Sequence, residues 1–471
     1  MKMTILFGGL LVLMTTCNKT ENHSDYSPKF QNSWSKVEER ILETWGASKV
    51  DSTNRQMPGS LEIPYEYFSI YEGVNVLYCW DTYFTNAGLM LVDSFAEYAK
   101  NAVDNQFAEI EQIGFVPNAS EPWGLNRSQT PFLSMMVREV YENGLADKDW
   151  LLSAYEMLEK DYLFWTDTAA IAIEDHNTSI AGLQRFYHHA TEKELLDFYK
   201  VLAPRFDLSD SLSKEEKLKM GEAWLSEAET MDFTPRFENR CHQFIAVDLN
   251  ANLYLYEKNF EWMTDELNLE RHTDWGLKAS QRKELLTKYC WDEERGLFMD
   301  YDFVNHRFSK IASVAAFYPL WAGLATEQQA ERTLKNLSLF EFDYGPAVCE
   351  KSEQEHIYQW DYPAGWPPVY YLVAKALDNY GYKKDARRIS AKYLDLVTKN
   401  FLVPKPTFFS SKIGAKEKDT KREPGFVYEK YDVVDGTIYD AEYASRPFHG
   451  WSYAVYIWCL DYYKRDSINY K

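Results

Sequence analysis

The stretch Gln359-Trp360-Asp361-Tyr362-Pro363-Ala364-Gly365-Trp366-Pro367-Pro368 decides how the rest of the chain is interpreted. It combines two indoles, a carboxylate and a carboxamide with three prolines and a glycine that restrict the backbone. Indole faces suit the C–H faces of a sugar ring, and Asp and Gln side chains hydrogen-bond to neighbouring hydroxyl groups. The stretch therefore predicts a carbohydrate-binding face. A tryptophan- and proline-rich loop packed only for stability is the alternative.

A core helix is expected to follow this stretch directly. Pro367 and Pro368 are tolerated in a first helical turn, where the N–H groups have no intrahelical partner. Gly381 is expected to end the helix. Between them, apolar residues recur at the spacing of one helical face: Val369, Leu372, Val373, Ala376 and Leu377. The polar stretch is thus predicted to lie at the N-terminal end of a buried helix.

The composition favours a protein with a large core and no polyanionic partner. The chain has 471 residues, of which 45% are hydrophobic and 16% aromatic, which suffices for a large buried core. Its net charge of −21 argues against binding to nucleic acid or to an anionic membrane surface. The nine histidines contain no HExxH motif, and no carboxylate cluster has metal-ligand spacing. We therefore expect no metal and no other cofactor.

The N-terminus has the features of an export signal. Lys2 precedes an apolar run from Ile5 to Met14, which is too short to span a bilayer. The run ends before Cys17 in a sequence that resembles a bacterial lipoprotein processing site. These features predict a signal peptide over residues 1–17, lipidation of Cys17 and a flexible tether over 18–32. The expected location is the periplasm or the outer membrane or cell surface of a Gram-negative bacterium, with a lipid anchor as the sole membrane contact. Simple cleavage into the periplasm is the alternative.

The other cysteines do not form a recognisable framework. They are odd in number, scattered and without CxxC spacing: Cys79, Cys241, Cys290, Cys349 and Cys459. We expect mostly buried thiols, with one disulfide left open as an alternative.

Helical periodicity dominates from Ser33 onward. One apolar stripe ends at Gly114, and another over Leu151–Trp165 is preceded by Asp149 as the expected N-cap. Further helices are predicted near 32–46, 130–144, 192–203, 212–228, 241–259, 278–290, 311–323, 326–338, 383–400 and 447–465. About a dozen paired helices indicate an all-α (α/α)6 barrel, or toroid, as a single domain over 33–471. A helical solenoid would need a fixed sequence repeat, and none is visible.

Five separated segments resemble the trehalase family of inverting glycoside hydrolases. The opening stretch matches one family signature, and Tyr78-Cys79-Trp80-Asp81-Thr82-Tyr83-Phe84 matches the second half of the other. The remaining matches are Gly114–Asn118 with Asn126–Pro131, Met231–Phe237 with Val247–Asn250, and Glu429–Val433 with Ala441–Tyr443 and Gly450–Trp451.

The resemblance implies two catalytic carboxyl groups. It assigns the general acid to Asp232 and the general base to Glu442, with Glu429 and Asp440 as competitors for the base. An inverting pair stands roughly 6.5–9.5 Å apart, which leaves room for the attacking water. An acid also needs a raised pKa, which burial beside Met231 and other apolar neighbours favours.

The resemblance also implies a substrate-binding shell and a substrate. The implied binding residues are Trp80, Asp81, Asn118, Arg127, Gln129, Arg236, Gln359, Trp360, Asp361 and Trp451. The implied reaction is hydrolysis of trehalose to two glucose molecules.

The chain departs from the family pattern in places. Residues 71–76 lack a family arginine, residues 191–194 lack an Arg–Glu pair, and Met231 and Phe237 replace tryptophans. A glycine run is replaced by Thr437–Ala441.

Other functions remain as alternatives. An inverting α-glycosidase for another α-linked disaccharide or a glycan end would keep the catalytic pair. A non-hydrolytic carbohydrate-binding protein on the same fold would keep the aromatic residues and tolerate loss of Asp232 or Glu442. An epimerase or lyase on this fold would rely on His or Tyr, and no such motif stands out.

Overall fold

The computed structural model describes residues 26–51, 57–166, 178–180, 182–206, 208, 211–270, 272–353, 358–405, 407–409, 418–420 and 422–469. The predicted signal peptide at 1–17, Cys17 and the tether up to residue 25 lie outside the described residues. Within the described ranges, no helix combines the length and the apolar character that a membrane span requires.

The described residues are organised mainly as α-helices. They are α1 Trp34–Thr44, α2 Cys79–Leu89, α3 Ala96–Ile113, α4 Leu133–Glu142, α5 Lys148–Thr166, α6 Glu192–Leu202, α7 Lys214–Glu227, α8 Val247–Leu267, α9 Trp275–Cys290, α10 Tyr318–Trp321, α11 Glu327–Lys335, α12 Pro367–Asn379, α13 Lys383–Leu402 and α14 Gly450–Asn469. Neighbouring helices pack in pairs, as α8 with α9 and α12 with α13.

The strands are two or three residues long and pair antiparallel in small sheets. They are β1 Lys49–Val50, β2 Tyr67–Phe68, β3 Thr178–Ile180, β4 Leu183–Gln184, β5 Phe244–Ile245, β6 Trp291–Asp292, β7 Leu297–Phe298, β8 Tyr301–Asp302, β9 Arg307–Phe308, β10 Glu341–Phe342, β11 Gly345–Pro346, β12 Ala364–Gly365, β13 Thr407–Phe409, β14 Lys418–Thr420, β15 Tyr431–Asp432 and β16 Thr437–Ile438.

One small sheet joins the two segments that matter most for the site. Strand β12 belongs to the tryptophan-rich stretch and pairs with β15, with Ala364 opposite Asp432 and Gly365 opposite Tyr431. A Cβ on Gly365 would lie 2.3 Å from Val433 Cγ1, so this close approach requires glycine. The pairing holds the Glu429–Val433 segment against the start of α12.

Helix α2 is buried along its whole length. All eleven of its residues are buried, and it packs along α14. The contact is so close that a Cβ on Gly88 would lie 2.4 Å from Ala454 Cα. Because this helix has no solvent-facing side, it shows no amphipathic stripe, and periodicity did not predict it.

Helices α6 and α7 form a helical hairpin with its own small core, which we call the cap. Each helix begins with a capping box, Thr191 with Glu194 and Ser213 with Glu216. Trp224 of α7 stacks on Tyr199 of α6 with ring centroids 5.6 Å apart. The buried cluster of the cap includes Phe233 and Tyr358, so the cap rests on the segments that carry Asp232 and Gln359.

Most of the predicted helices are present, with some corrections. Helix α12 begins at Pro367 as predicted, and Gly114 ends α3 with a φ of 90°. The predicted helix at 241–259 is wrong at its start, because Cys241–Ile245 forms a 3₁₀ turn and β5 before α8 begins. The predicted helix at 311–323 contains a 3₁₀ turn and only the short α10.

The predicted N-cap of α5 is wrong by two residues. Asp149 lies inside α5, and the Oδ1 atom of Asp147 instead accepts a hydrogen bond from Trp150 N at 3.0 Å. The five cysteines after residue 25 are buried free thiols, as predicted.

Candidate active site

Four indoles form the floor of the candidate site. Trp80 comes from the first turn of α2, Trp360 and Trp366 from the segment before α12, and Trp451 from the first turn of α14. Trp360 stacks on Trp366 with centroids 3.9 Å apart, and Trp80 lies 5.3 Å from Trp360. Each of the four is at most 5% exposed. The structure thus brings the predicted Trp80, Trp360 and Trp451 together, with Trp451 meeting the other indoles edge-on.

Asp232 lies on the turn between α7 and a 3₁₀ turn at Pro235–Phe237. Burial raises the pKa of its carboxyl to about 7. The negative charges of Glu442 and Glu429 also raise this pKa, whereas the guanidinium groups of Arg127 and Arg205 lower it. Near neutral pH, a large fraction of this carboxyl therefore carries the proton that a general acid must donate.

Glu442 is held beside Asp232 in an unusual backbone conformation. Its φ is 58°, which is left-handed and uncommon for a residue with a Cβ. Its Oε1 accepts a hydrogen bond from Gln359 N at 3.1 Å, and its Oε2 lies 3.4 Å from Arg205 Nη1. Arg205 follows α6, so the cap supplies a cation to this carboxylate.

Gln359 connects the two predicted catalytic segments. Its Nε2 donates to the Asp232 carbonyl oxygen at 2.9 Å, while its backbone N–H donates to Glu442. The indole of Trp366 fixes the same residue by donating to the Gln359 carbonyl oxygen at 2.9 Å. The predicted binding residue Gln359 is thereby a brace between Asp232 and Glu442.

The α3–α4 connection supplies a polar wall. Arg127 Nη2 donates to Asn118 Oδ1 at 3.2 Å, and Arg127 Nη1 donates to Trp123 O at 2.8 Å. Asn118 Nδ2 in turn donates to the carbonyl oxygen of Ala228, next to α7. Arg127 Nε and Gln129 Oε1 are buried and lack a hydrogen-bond partner within the described part of the chain.

Two predicted aspartates directly follow indoles of the floor in the chain, Asp81 after Trp80 and Asp361 after Trp360. Asp81 is 9% exposed in the first turn of α2, and burial followed by the charges of Asp232 and Glu429 raises the pKa of its carboxyl well above the usual value. Asp361 is 4% exposed, and its Oδ1 accepts a hydrogen bond from Tyr362 N at 2.7 Å.

The structure places Arg236 beneath the site and not in it. The guanidinium is fully buried and forms paired contacts to two carboxylates, with Nη1 2.7 Å from Asp248 Oδ2 and Nε 2.7 Å from Asp300 Oδ2. Nη2 also contacts both aspartates. This geometry anchors the segment that follows Asp232 to α8, and it leaves the guanidinium engaged inside the protein.

Two buried glutamates near the end of α7 hold the site loops. Glu227 Oε1 accepts from Thr234 N at 2.7 Å, and Glu229 Oε1 accepts from Ser128 N at 3.0 Å. Burial raises the pKa of each carboxyl to about 8. Sequence reasoning missed both residues, because the run Glu227-Ala228-Glu229-Thr230 carries no sign that it will be buried.

The sequence analysis assigned no role to two further residues of the site. Arg205 approaches Glu442 from the cap, and Lys430 lies under the Glu442 segment. Lys430 was visible in the Glu429–Val433 match, whereas Arg205 lies in a segment without any family match. In the described ranges, no group of three or more His, Cys, Asp or Glu side chains is arranged to hold a metal ion.

Comparison with solved structures identifies the fold class of the protein. A mannosylglycerate hydrolase of glycoside hydrolase family 63 from Thermus thermophilus matches 91% of this chain and 99% of its own at 18% identity, with a TM-score of 0.53. The neutral trehalase of Saccharomyces cerevisiae matches 86% of this chain and 76% of its own at 27% identity, with a TM-score of 0.67. The predicted all-α (α/α)6 toroid is thereby confirmed.

The family follows from the sequence comparisons. The Trehalase family model matches residues 16–464, and the chain belongs to this family. The cytosolic neutral trehalase of Kluyveromyces lactis is 32% identical over 415 residues, which cover 79% of this chain and 52% of that protein. The cytosolic neutral trehalase of S. cerevisiae is 31% identical over 443 residues, covering 82% and 55%. The chain thus spans about half the length of the curated relatives it matches.

These relatives also correct one prediction. The expected location in the periplasm or at the outer membrane is wrong by this comparison, because the relatives from K. lactis and S. cerevisiae are named cytosolic enzymes.

Proposed function

We propose that this protein hydrolyses trehalose to two glucose molecules with inversion of configuration, using residues 33–471 as one catalytic domain. Membership of the trehalase family and similarity to enzymes named neutral trehalases support the substrate. The observation that carries the proposal is the placement of Asp232 and Glu442 on either side of Gln359. The Gln359 side chain donates a hydrogen bond to the backbone carbonyl oxygen of Asp232, and its backbone N–H donates to the carboxylate of Glu442. No metal or cofactor takes part in the proposed reaction.

Asp232 is the proposed general acid. Its carboxyl has a pKa of about 7 because it is buried and faces two other carboxyl groups. It donates its proton to the glycosidic oxygen, so that the departing glucose leaves as a neutral alcohol. Arg127 and Arg205 lower this pKa, which limits the rise that burial causes and keeps the proton transferable.

Glu442 is the proposed general base. The N–H of Gln359 and the guanidinium of Arg205 orient its carboxylate from two sides. A base in this position removes a proton from a water molecule that attacks the anomeric carbon from the face opposite the leaving group.

One observation favours a second candidate for the base, Glu429. Its Oε2 is buried and has no hydrogen-bond partner in the described segments, whereas its Oε1 accepts from Tyr443 OH at 3.1 Å. Both oxygens of Glu442 have contacts, and the positive charge of Lys430 lies 3.7 Å from Glu429 Oε2. Because Glu429 Oε2 accepts no hydrogen bond from a described residue, its lone pairs can accept a proton from water, and the ammonium of Lys430 favours the ionised form that a base needs.

The sugar-binding shell is proposed from the polar atoms that lack partners. Arg127 Nε is a donor and Gln129 Oε1 an acceptor, and both suit a hydroxyl group. Asn118 fixes the Arg127 guanidinium, and Asp81 adds a carboxyl at the edge of the indole floor. Trp80, Trp360, Trp451 and Asp361 complete the proposed shell as the apolar floor and its rim.

The roles of the carboxyl groups are separated by two substrates. α-Glucosyl fluoride releases fluoride without help from an acid, so Asp232→Asn should hydrolyse this fluoride while losing trehalose hydrolysis by about two to four orders of magnitude. The variant that removes the base should lose both activities, and added azide should restore turnover and give β-glucosyl azide. Glu442→Ala and Glu429→Ala are compared in parallel. The variant that azide rescues identifies the base, and rescue of neither variant would contradict the proposed mechanism.

A panel of substrates tests the proposed specificity. Trehalose is compared with other α-linked glucose disaccharides at equal concentration. Inverting turnover of another disaccharide without trehalose turnover would keep the mechanism and replace the substrate. Saturable binding without any turnover would point to the carbohydrate-binding alternative.

A further inference from the structure

Lys430 is a buried cation directly under the candidate active site. Its side chain is 0% exposed, and its Nζ has no hydrogen-bond partner among the residues that the structure describes. The ammonium instead lies 3.2 Å from the centroid of the Tyr443 ring and 4.9 Å from that of Trp366. A lysine without any hydrogen-bond partner in a protein interior is unfavourable unless other charges and aromatic faces compensate.

The compensating charges belong to the candidate site. Glu429 Oε2 lies 3.7 Å from Lys430 Nζ on the same segment. Asp440 and Glu442 on the following turn also attract the ammonium, and Arg205 of the cap repels it. Burial lowers the pKa of Lys430 to about 8, although the neighbouring carboxylates act to raise it. The amine is therefore largely protonated at neutral pH.

Tyr443 connects this cation to Glu442. Its ring rests on the ammonium, and its hydroxyl donates to Glu429 Oε1 at 3.1 Å. Its backbone N–H donates to the Ala441 carbonyl oxygen at 2.6 Å, which closes a three-residue turn around Glu442. The left-handed φ of Glu442 is unfavourable in isolation and persists only where its surroundings hold it. The residue that follows Glu442 is therefore fixed at both its backbone and its side chain.

We propose that Lys430 is a positioning residue for both candidate bases, contacting Glu429 directly and holding Glu442 in its left-handed conformation through the Tyr443 ring. The inference rests on the proposed hydrolase function. Because the ammonium lies below the carboxylates and is closed off from solvent, it acts on the base and does not contact the sugar. Its loss should therefore lower kcat while leaving substrate affinity nearly unchanged.

The test replaces Lys430 by Met, which keeps the length of the side chain and removes the charge. Lys430→Met should lower kcat on trehalose about 100-fold, since small displacements of catalytic groups have effects of this size. KM should stay within about threefold. The acidic limb of kcat/KM should move up by about one pH unit, because a carboxylate that loses a nearby cation binds its proton more tightly. Lys430→Arg retains the charge and should restore the position of the acidic limb.

A matched control and a second variant make the result decisive. Lys310→Met removes an exposed lysine that contacts Glu238 at 3.1 Å, and it should change neither kcat nor the pH profile. A folded Lys430→Met protein with the kcat and acidic limb of the wild type would overturn the proposal. If that variant does not fold, Tyr443→Leu provides the test of the proposal. It removes the ring through which Lys430 acts on Glu442 and should produce the same loss of kcat. An unchanged kcat in Tyr443→Leu would equally overturn it.

A structural measurement separates this proposal from the proposed function. If the wild-type protein hydrolyses no α-glucoside, the function fails, and kinetics cannot report on Lys430. A crystal structure of Lys430→Met still reports the backbone at Glu442. Loss of the left-handed φ would support the positioning role, and retention of a φ near 58° would overturn it.

Discussion

Replacement of Arg236 by Met should destabilise the protein without acting on sugar binding directly. The guanidinium is fully buried and makes four contacts of 2.7–3.1 Å to Asp248 and Asp300. Removing one partner from a buried ion pair costs about 3–5 kcal/mol, because the remaining charges are left uncompensated. For a chain of 471 residues the entropy of unfolding is about 1 kcal/mol/K, so the midpoint should fall by about 3–5 °C.

The assay is thermal unfolding of the wild type, Arg236→Met and a matched control. The control is Arg465→Met, which removes an arginine that is 66% exposed and pairs with Asp461 one turn earlier on the surface of α14. Surface pairs contribute about 0–1 kcal/mol, so its midpoint should move by about 1 °C or less. The placement of Arg236 beneath the site is refuted if Arg236→Met melts like the wild type while its KM for trehalose rises. That result would return the guanidinium to the sugar-binding shell.

Three further predictions follow from the site and its supports. The basic limb of kcat/KM should have a midpoint near pH 7, because Asp232 must stay protonated and its pKa is about 7. The measurement is kcat/KM over a pH series, and a value that stays constant up to pH 9 would contradict this prediction. Asp395→Ala removes the acceptor for four donors of the N-terminal segment, including Trp34 Nε1 at 3.0 Å, and should cost at least about 2 kcal/mol in chemical denaturation. Gly88→Ala places a Cβ against Ala454 and should cost about 1–3 kcal/mol, whereas Gly46→Ala, with nothing within 4 Å, should melt like the wild type.

The sequence predicted those helices that have one apolar and one polar face. Helix α12 begins at Pro367, as the apolar spacing and the two prolines indicated, and α6 spans Glu192–Leu202, close to the predicted range 192–203. Helix α2 was not predicted, since burial of all its residues removes the periodic contrast between two faces. The start of α8 was misplaced, because β5 pairs with β8 far along the chain, and local spacing does not report such pairing.

The sequence predicted only those site residues that lie within segments matching family motifs. Motif matches selected Asp232, Gln359 and Glu442, which the structure brings together. They did not indicate that Arg236 faces inward, since its carboxylate partners Asp248 and Asp300 come from separate segments. Contacts such as that of Arg205 with Glu442 join residues more than two hundred positions apart, so only the folded chain reveals them.

The most direct test of the central claim is proton NMR of the purified chain during the first minutes of trehalose hydrolysis. Inversion at the attacked ring predicts one β-glucose and one α-glucose per turnover, before mutarotation equalises the anomers. Release of α-glucose alone would show retention and contradict the roles proposed for Asp232 and Glu442. Absence of any hydrolysis of trehalose would contradict the proposed substrate.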